Sequence, residues 1–141
     1  MFSGTGIGSS TVAEVRRWAT ALAVFCAVTV LYLVARDLFV PQVRDVEVWF
    51  GIELRGWAAR ATAPLHWAIF AAGAWAFATQ RAWIWPAASL YAVYIAVSHL
   101  VWNVTSPSGG GLSAGLLQLG LFLIPAVLVF ELRPRKQQPS R

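Results

Sequence analysis

The chain has 141 residues, of which 58% are hydrophobic and only 12% are charged, whereas soluble domains carry roughly a quarter charged residues. This composition predicts an integral membrane protein with one domain over residues 1–141, and it excludes a soluble globular domain. The net charge of +5 does not indicate a nucleic-acid partner, because the basic residues lie at the ends of apolar stretches, where membrane topology accounts for them.

Four long apolar stretches follow one another along the chain. Each is long enough, at helical rise, to cross the roughly 30 Å of a bilayer's hydrocarbon core. The stretches are continuous and do not alternate, which favours helices over barrel strands. The predicted fold is an all-α, polytopic four-helix bundle with helices at about residues 14–36, 57–80, 82–104 and 112–132, and with a tail at residues 133–141.

The segment at residues 37–56, between the first two helices, is too apolar for a flexible linker. Val43, Val46 and Phe50 share one helical face, and Pro41 is a favourable helix start. We therefore expect a short amphipathic helix in the membrane interface. A strand over residues 46–49 is the alternative.

Arginine and lysine positions predict the orientation. Arg16 and Arg17 precede the first helix, Arg81 lies between the second and third, and further basic residues follow the fourth. Residues 36–60 instead hold four arginines balanced by four acidic residues. The positive-inside rule then predicts a multi-pass protein of the bacterial inner membrane with both termini in the cytoplasm.

Ionisable residues inside membrane helices are costly and mark candidate functional sites. The only two histidines, His66 and His99, lie within the second and third helices, about 9 Å from their outer ends at helical rise. Gln118 lies at a similar depth in the fourth helix. We expect an outer-half cavity lined by the histidines and Gln118, with Glu53 and Asn103 at its rim.

Several ligands suit two neutral imidazoles in such a cavity. They can bind haem or a chlorin, or hydrogen-bond a quinone or a sterol-like lipid. Structural hydrogen bonding between helices is the alternative for both residues. A metal site without a cofactor is not indicated, since no carboxylate stands at helical spacing to either histidine.

No nucleophile–base arrangement or paired helical carboxylates are found in the sequence, so it does not indicate an enzyme. The predicted function is that of a non-catalytic accessory or scaffold subunit, with the bilayer and a membrane protein or a second copy as partners. A binder of a lipophilic ligand or cofactor, held by His66 and His99, is the alternative.

The layout of one helix, an ordered segment "VWFGIELRGWAAR" and three closely spaced helices resembles small bacterial four-helix membrane proteins of the DoxX-like type. It is also similar in layout to the sterol-binding EXPERA fold. The resemblance covers most of the chain and implies a helical bundle and an apolar ligand. It transfers no functional residues.

Overall fold

A computed structural model describes residues 12–40 and 45–133. Most of these residues are helical, as predicted. The elements in chain order are α1 (Val12–Phe39), β1 (Val46–Trp49), β2 (Ile52–Arg55), α2 (Trp57–Ala78), α3 (Ile84–Thr105) and α4 (Gly111–Glu131). The predicted tail beyond residue 133 and the predicted helix start at Pro41 lie outside the described residues.

Three of the helices, α1, α3 and α4, are long and apolar enough to cross a membrane. α2 has 22 residues, as many as α3, but Arg60 and His66 lie in its first half and make it less apolar. The length and composition of these helices therefore indicate a helical membrane protein.

The helices pack as two antiparallel pairs, α1 against α2 and α3 against α4. The pairs meet near the turn that joins α2 to α3. A core of buried side chains lies there, in which Phe77 and Trp85 pack edge to face with ring centroids 5.4 Å apart. At the other end, β1 and β2 contact both α2 and α3. The fold is thus two helical pairs joined at one end, with a β-hairpin between them at the other.

The hairpin replaces the amphipathic helix expected here, and that expectation was wrong over the described residues; the alternative strand over residues 46–49 is confirmed. Phe50 and Gly51 have φ values of 53° and 78°, which is the geometry of a two-residue hairpin turn. Val46 and Val48 alternate with Glu47 and Trp49, and this period of two suits a strand with two different faces.

The strands pair antiparallel, with Trp49 opposite Ile52 and Glu47 opposite Leu54. Both are hydrogen-bonded pairs, and the first of them closes the two-residue turn. In an antiparallel ladder such pairs alternate with pairs that are not hydrogen-bonded. Gly56 N–H donates to Asp45 O at 2.9 Å and continues the series. The remaining strand residues therefore turn their backbone groups outward, at the two edges of the hairpin; they are Val46, Val48, Glu53 and Arg55.

Candidate functional site

The hairpin turn docks on the middle of α3. Phe50 N–H donates to the Tyr94 hydroxyl at 3.1 Å, and Gly51 N–H donates to Ser98 Oγ at 2.8 Å. The Phe50 and Tyr94 rings meet edge to face with centroids 5.1 Å apart. Tyr94 lies eleven residues before the end of α3 at Thr105, which is about 16 Å at helical rise. The hairpin therefore reaches half-way along the helix.

Gly51 makes this close approach possible. A Cβ at this position would lie 2.4 Å from Val101 Cβ and 2.9 Å from Ser98 O, and its φ of 78° is unfavourable for other residues. Phe50 has a similarly unfavourable φ, and its contacts with Tyr94 hold it there. Position 51 therefore requires glycine, because of its backbone conformation and because α3 leaves no space for a Cβ.

Ionisable side chains from three elements form what we term the ionic cluster: Arg36 and Asp37 of α1, Glu47 of β1, and His66 of α2. Arg36 pairs with Glu47 and, at 2.6 Å, with Asp37. His66 Nδ1 lies 2.9 Å from Glu47 Oε2. The Asp37 and Glu47 side chains are each only 5% exposed. Buried carboxylates are costly unless paired, so the cluster fixes these three elements to one another.

Two tryptophans complete the surroundings of the ionic cluster. Trp67 Nε1 donates to Asp37 Oδ2 at 2.8 Å, so all four oxygens of the two buried carboxylates have partners. Trp49 and His66 are stacked, with ring centroids 4.1 Å apart and planes within 8°. Because Glu47 and Trp49 share one face of β1, the same strand supplies both contacts to His66.

A half-open cleft of about 230 Å³ lies beside the ionic cluster. Its lining combines both signs of charge with apolar surface: Asp37, Leu38, Arg60, Ala63 and Trp67. Arg60 also binds Asp45, with Nη2 2.7 Å from Oδ2, and its side chain is more than half exposed.

Asn103 and Gln118, which were expected at the rim and in the wall of one cavity, meet between α3 and α4. Asn103 Nδ2 donates to Gln118 Oε1 at 2.9 Å and to His99 O at 2.8 Å. Its Oδ1 accepts from Gly110 N–H at 3.1 Å. The buried amide therefore joins both helices and the turn between them.

Glu53, expected at the rim of a cavity, lies against the C-terminal end of α3. Its Oε2 accepts from Trp102 Nε1 at 3.3 Å and from Ser106 Oγ at 3.2 Å, and the carboxylate also pairs with Arg55. These contacts tie β2 to α3 in the same way that Glu47 ties β1 to α1 and α2.

The two histidines have separate surroundings. His99 Nδ1 donates to the carbonyl of Ile95 at 3.0 Å, and its ring lies 4.6 Å from that of Phe122. His66 instead contacts Glu47 and Trp49, on β1. Residues 12–40 and 45–133 contain no group of three His, Cys, Asp or Glu side chains placed to bind a metal.

Sequence reasoning missed Arg36, Asp37, Glu47 and the tryptophans that meet them. The balanced charges of residues 36–60 were interpreted only as evidence of topology. Equal numbers of opposite charges in a segment so rich in Val, Ile and Trp were the available signal for buried ion pairs.

Comparison with known proteins finds no match: no family model, no curated protein and no solved structure aligns significantly with the chain. The DoxX-like resemblance remains a prediction of layout. Function is therefore argued from the geometry of the described residues.

Proposed function

We propose that the protein is a four-span accessory or scaffold subunit of the bacterial inner membrane, with both termini in the cytoplasm. α2 supplies the fourth span, because it packs along α1 and has the length of α3. Arg16, Arg17 and Arg81 lie toward the end where the helical pairs join, and the positive-inside rule assigns that end to the cytoplasm.

In this topology the β-hairpin is re-entrant. An α3 of 22 residues is about 33 Å long, close to the thickness of the hydrocarbon core. Since the turn binds Tyr94 at the middle of that helix, the hairpin enters the outer half of the bilayer. Non-helical backbone at such depth is tolerated only where protein or water surrounds it.

The hairpin has too little cover of its own, and this observation carries the proposal. Phe50 is 70% exposed and Ile52 is 64% exposed. The outward backbone groups of Val46, Val48 and Glu53 make none of the turn, loop or side-chain hydrogen bonds found in the described part of the chain. Lipid tails cannot pair with these groups. A partner chain that covers the hairpin would both bury the apolar side chains and pair the edge.

Photo-crosslinking from the hairpin tests this function. A photoreactive amino acid is placed at Ile52 and, as a matched control, at Leu116, which is 52% exposed on α4. Irradiation of intact cells should give one discrete protein adduct from position 52 and only lipid adducts from position 116. Mass spectrometry of the adduct then identifies a partner or a second copy.

Purification of the protein from membranes gives a second, independent measure of the partner. A stoichiometric complex in mild detergent that is lost on Ile52→Lys supports a subunit role. Lipid adducts alone at both positions would show that the hairpin faces the bilayer, and the subunit proposal would fail.

A second candidate function is the binding of a lipophilic cofactor or ligand at a single histidine. A carbonyl oxygen can only accept, so the contact with Ile95 fixes the proton on Nδ1 of His99 and leaves Nε2 as the free basic nitrogen. This is the arrangement in which histidines ligate metals. Haem or a chlorin would give the purified protein a visible absorption band that His99→Ala removes; a quinone or sterol-like lipid would be found by extraction.

A further inference from the structure

The cleft beside the ionic cluster is lined on one side by Asp37 and Leu38, near the end of α1. It extends along α2 from Arg60 to Trp67, which is about 10 Å at helical rise. Its volume of about 230 Å³ is below the roughly 300–1,000 Å³ of pockets for drug-sized ligands. The cleft therefore suits a small polar group and the first atoms attached to it.

We propose that this cleft binds the headgroup of a zwitterionic phospholipid with a primary ammonium, as in phosphatidylethanolamine. Its phosphate binds Arg60 at the rim, and its ammonium binds Asp37 at the inner wall. The site is independent of the hairpin surface on which the proposed function rests.

The two charged residues retain hydrogen-bonding capacity for such a ligand. Asp45 binds the Nε and Nη2 atoms of Arg60, and within residues 12–40 and 45–133 the Nη1 hydrogens remain for a phosphate oxygen. Asp37 Oδ1 accepts a hydrogen bond from Arg36 and Oδ2 accepts one from Trp67, and an ionised carboxylate oxygen can accept another. An ammonium with three N–H donors fits that carboxylate.

The apolar part of the lining favours a lipid over a free solute. Leu38 is 55% exposed beside the cleft, and Ala63 leaves room against α2. A glycerol backbone can lie against these side chains while the acyl chains continue along the exposed surface of α1. Phosphatidylglycerol lacks the ammonium, and the trimethylammonium of phosphatidylcholine has no N–H to donate to Asp37.

Native mass spectrometry of delipidated protein titrated with dioleoyl phosphatidylethanolamine, phosphatidylcholine or phosphatidylglycerol tests the site. We expect phosphatidylethanolamine to bind about tenfold more tightly than the other two, the scale of one hydrogen bond to a charged group. Arg60→Gln should weaken the binding of all three lipids, because the phosphate that Arg60 contacts is common to them. Arg55→Gln is the matched control, because Arg55 is an exposed, ion-paired arginine that does not line the cleft.

Equal binding of the three lipids by the unchanged protein would overturn the proposal, as would an equal loss in Arg55→Gln and Arg60→Gln. Circular dichroism establishes that both variants are folded before they are compared. A separate titration uses water-soluble phosphoethanolamine. Binding as tight as that of the lipid would assign the cleft to a free solute and overturn the lipid assignment, whereas much weaker binding supports it.

Discussion

The backbone amide of Phe50 donates a hydrogen bond to the hydroxyl of Tyr94, 3.1 Å away at the centre of α3. A segment that separates α1 from α2 in the sequence is thereby bound to the middle of α3. The neighbouring bond from Gly51 to Ser98 makes the docking two-point. This relationship distinguishes the fold from a plain bundle with an external loop.

Ser98→Ala should destabilise the protein by about 1–3 kcal/mol, because it leaves the buried amide of Gly51 without an acceptor. Thr105→Ala is the matched control: Thr105 is exposed, and its hydroxyl bonds only to Val101 O one turn earlier. Unfolding in mixed micelles of increasing SDS fraction gives both free energies. Equal, small changes in the two variants would contradict the docking.

Gly51→Ala should be more harmful than Gly56→Ala. Both glycines have positive φ, but an added Cβ meets Val101 at position 51 and has nothing within 4 Å at position 56. Backbone strain of about 1–2 kcal/mol is therefore common to both, and the steric clash affects only position 51. Thermal unfolding in detergent compares them, and equal losses would place the turn away from α3.

Glu47→Leu should cost about 1.5–3 kcal/mol in the free energy of unfolding, because His66 loses its carboxylate partner and Arg36 keeps only Asp37. Asp45→Asn removes the carboxylate charge from the exposed pair with Arg60 and should change stability little. The same SDS titration measures both. A small effect of Glu47→Leu would show that water reaches the ionic cluster and solvates its charges.

Asn103 and Gln118 should be energetically coupled. A double-mutant cycle with Asn103→Ala and Gln118→Ala should give about 0.6 kcal/mol, and no more than about 1.7 kcal/mol, the range measured for hydrogen bonds between membrane helices. Free energies of unfolding for the four proteins complete the cycle. Strict additivity of the two changes would mean that the amides do not meet.

The helices could be predicted because their apolar length alone determines them. The predicted boundaries of the third helix, for example, lie within two residues of Ile84–Thr105. This inference needs only the apolar length and the helical rise. The hydrogen bond between Asn103 and Gln118 was not predicted, because Gln118 was placed at the depth of the histidines and Asn103 at the rim of the expected cavity.

The hairpin and the ionic cluster were harder to predict, because both depend on contacts between distant segments. Val43, Val46 and Phe50 also fit a helical face, and only the docking of Gly51 on α3 decides for the turn. Similarly, the burial of Glu47 requires Arg36 and His66 to converge from two helices. Balanced charges in a sequence fit side chains that are exposed to water as well as side chains that are buried in such a cluster.

The depth of the hairpin is the central claim, and spin labelling measures it directly. Ile52→Cys and Arg55→Cys, each in a Cys26→Ala background, are labelled and reconstituted into lipid vesicles; the two positions are about 10 Å apart along β2. Collision with dissolved oxygen reports hydrocarbon, and collision with a water-soluble nickel complex reports water. We expect the label at position 52 to be shielded from nickel and the label at position 55 to be accessible. Equal nickel accessibility at both positions would show that the hairpin lies outside the membrane, and would contradict a re-entrant hairpin.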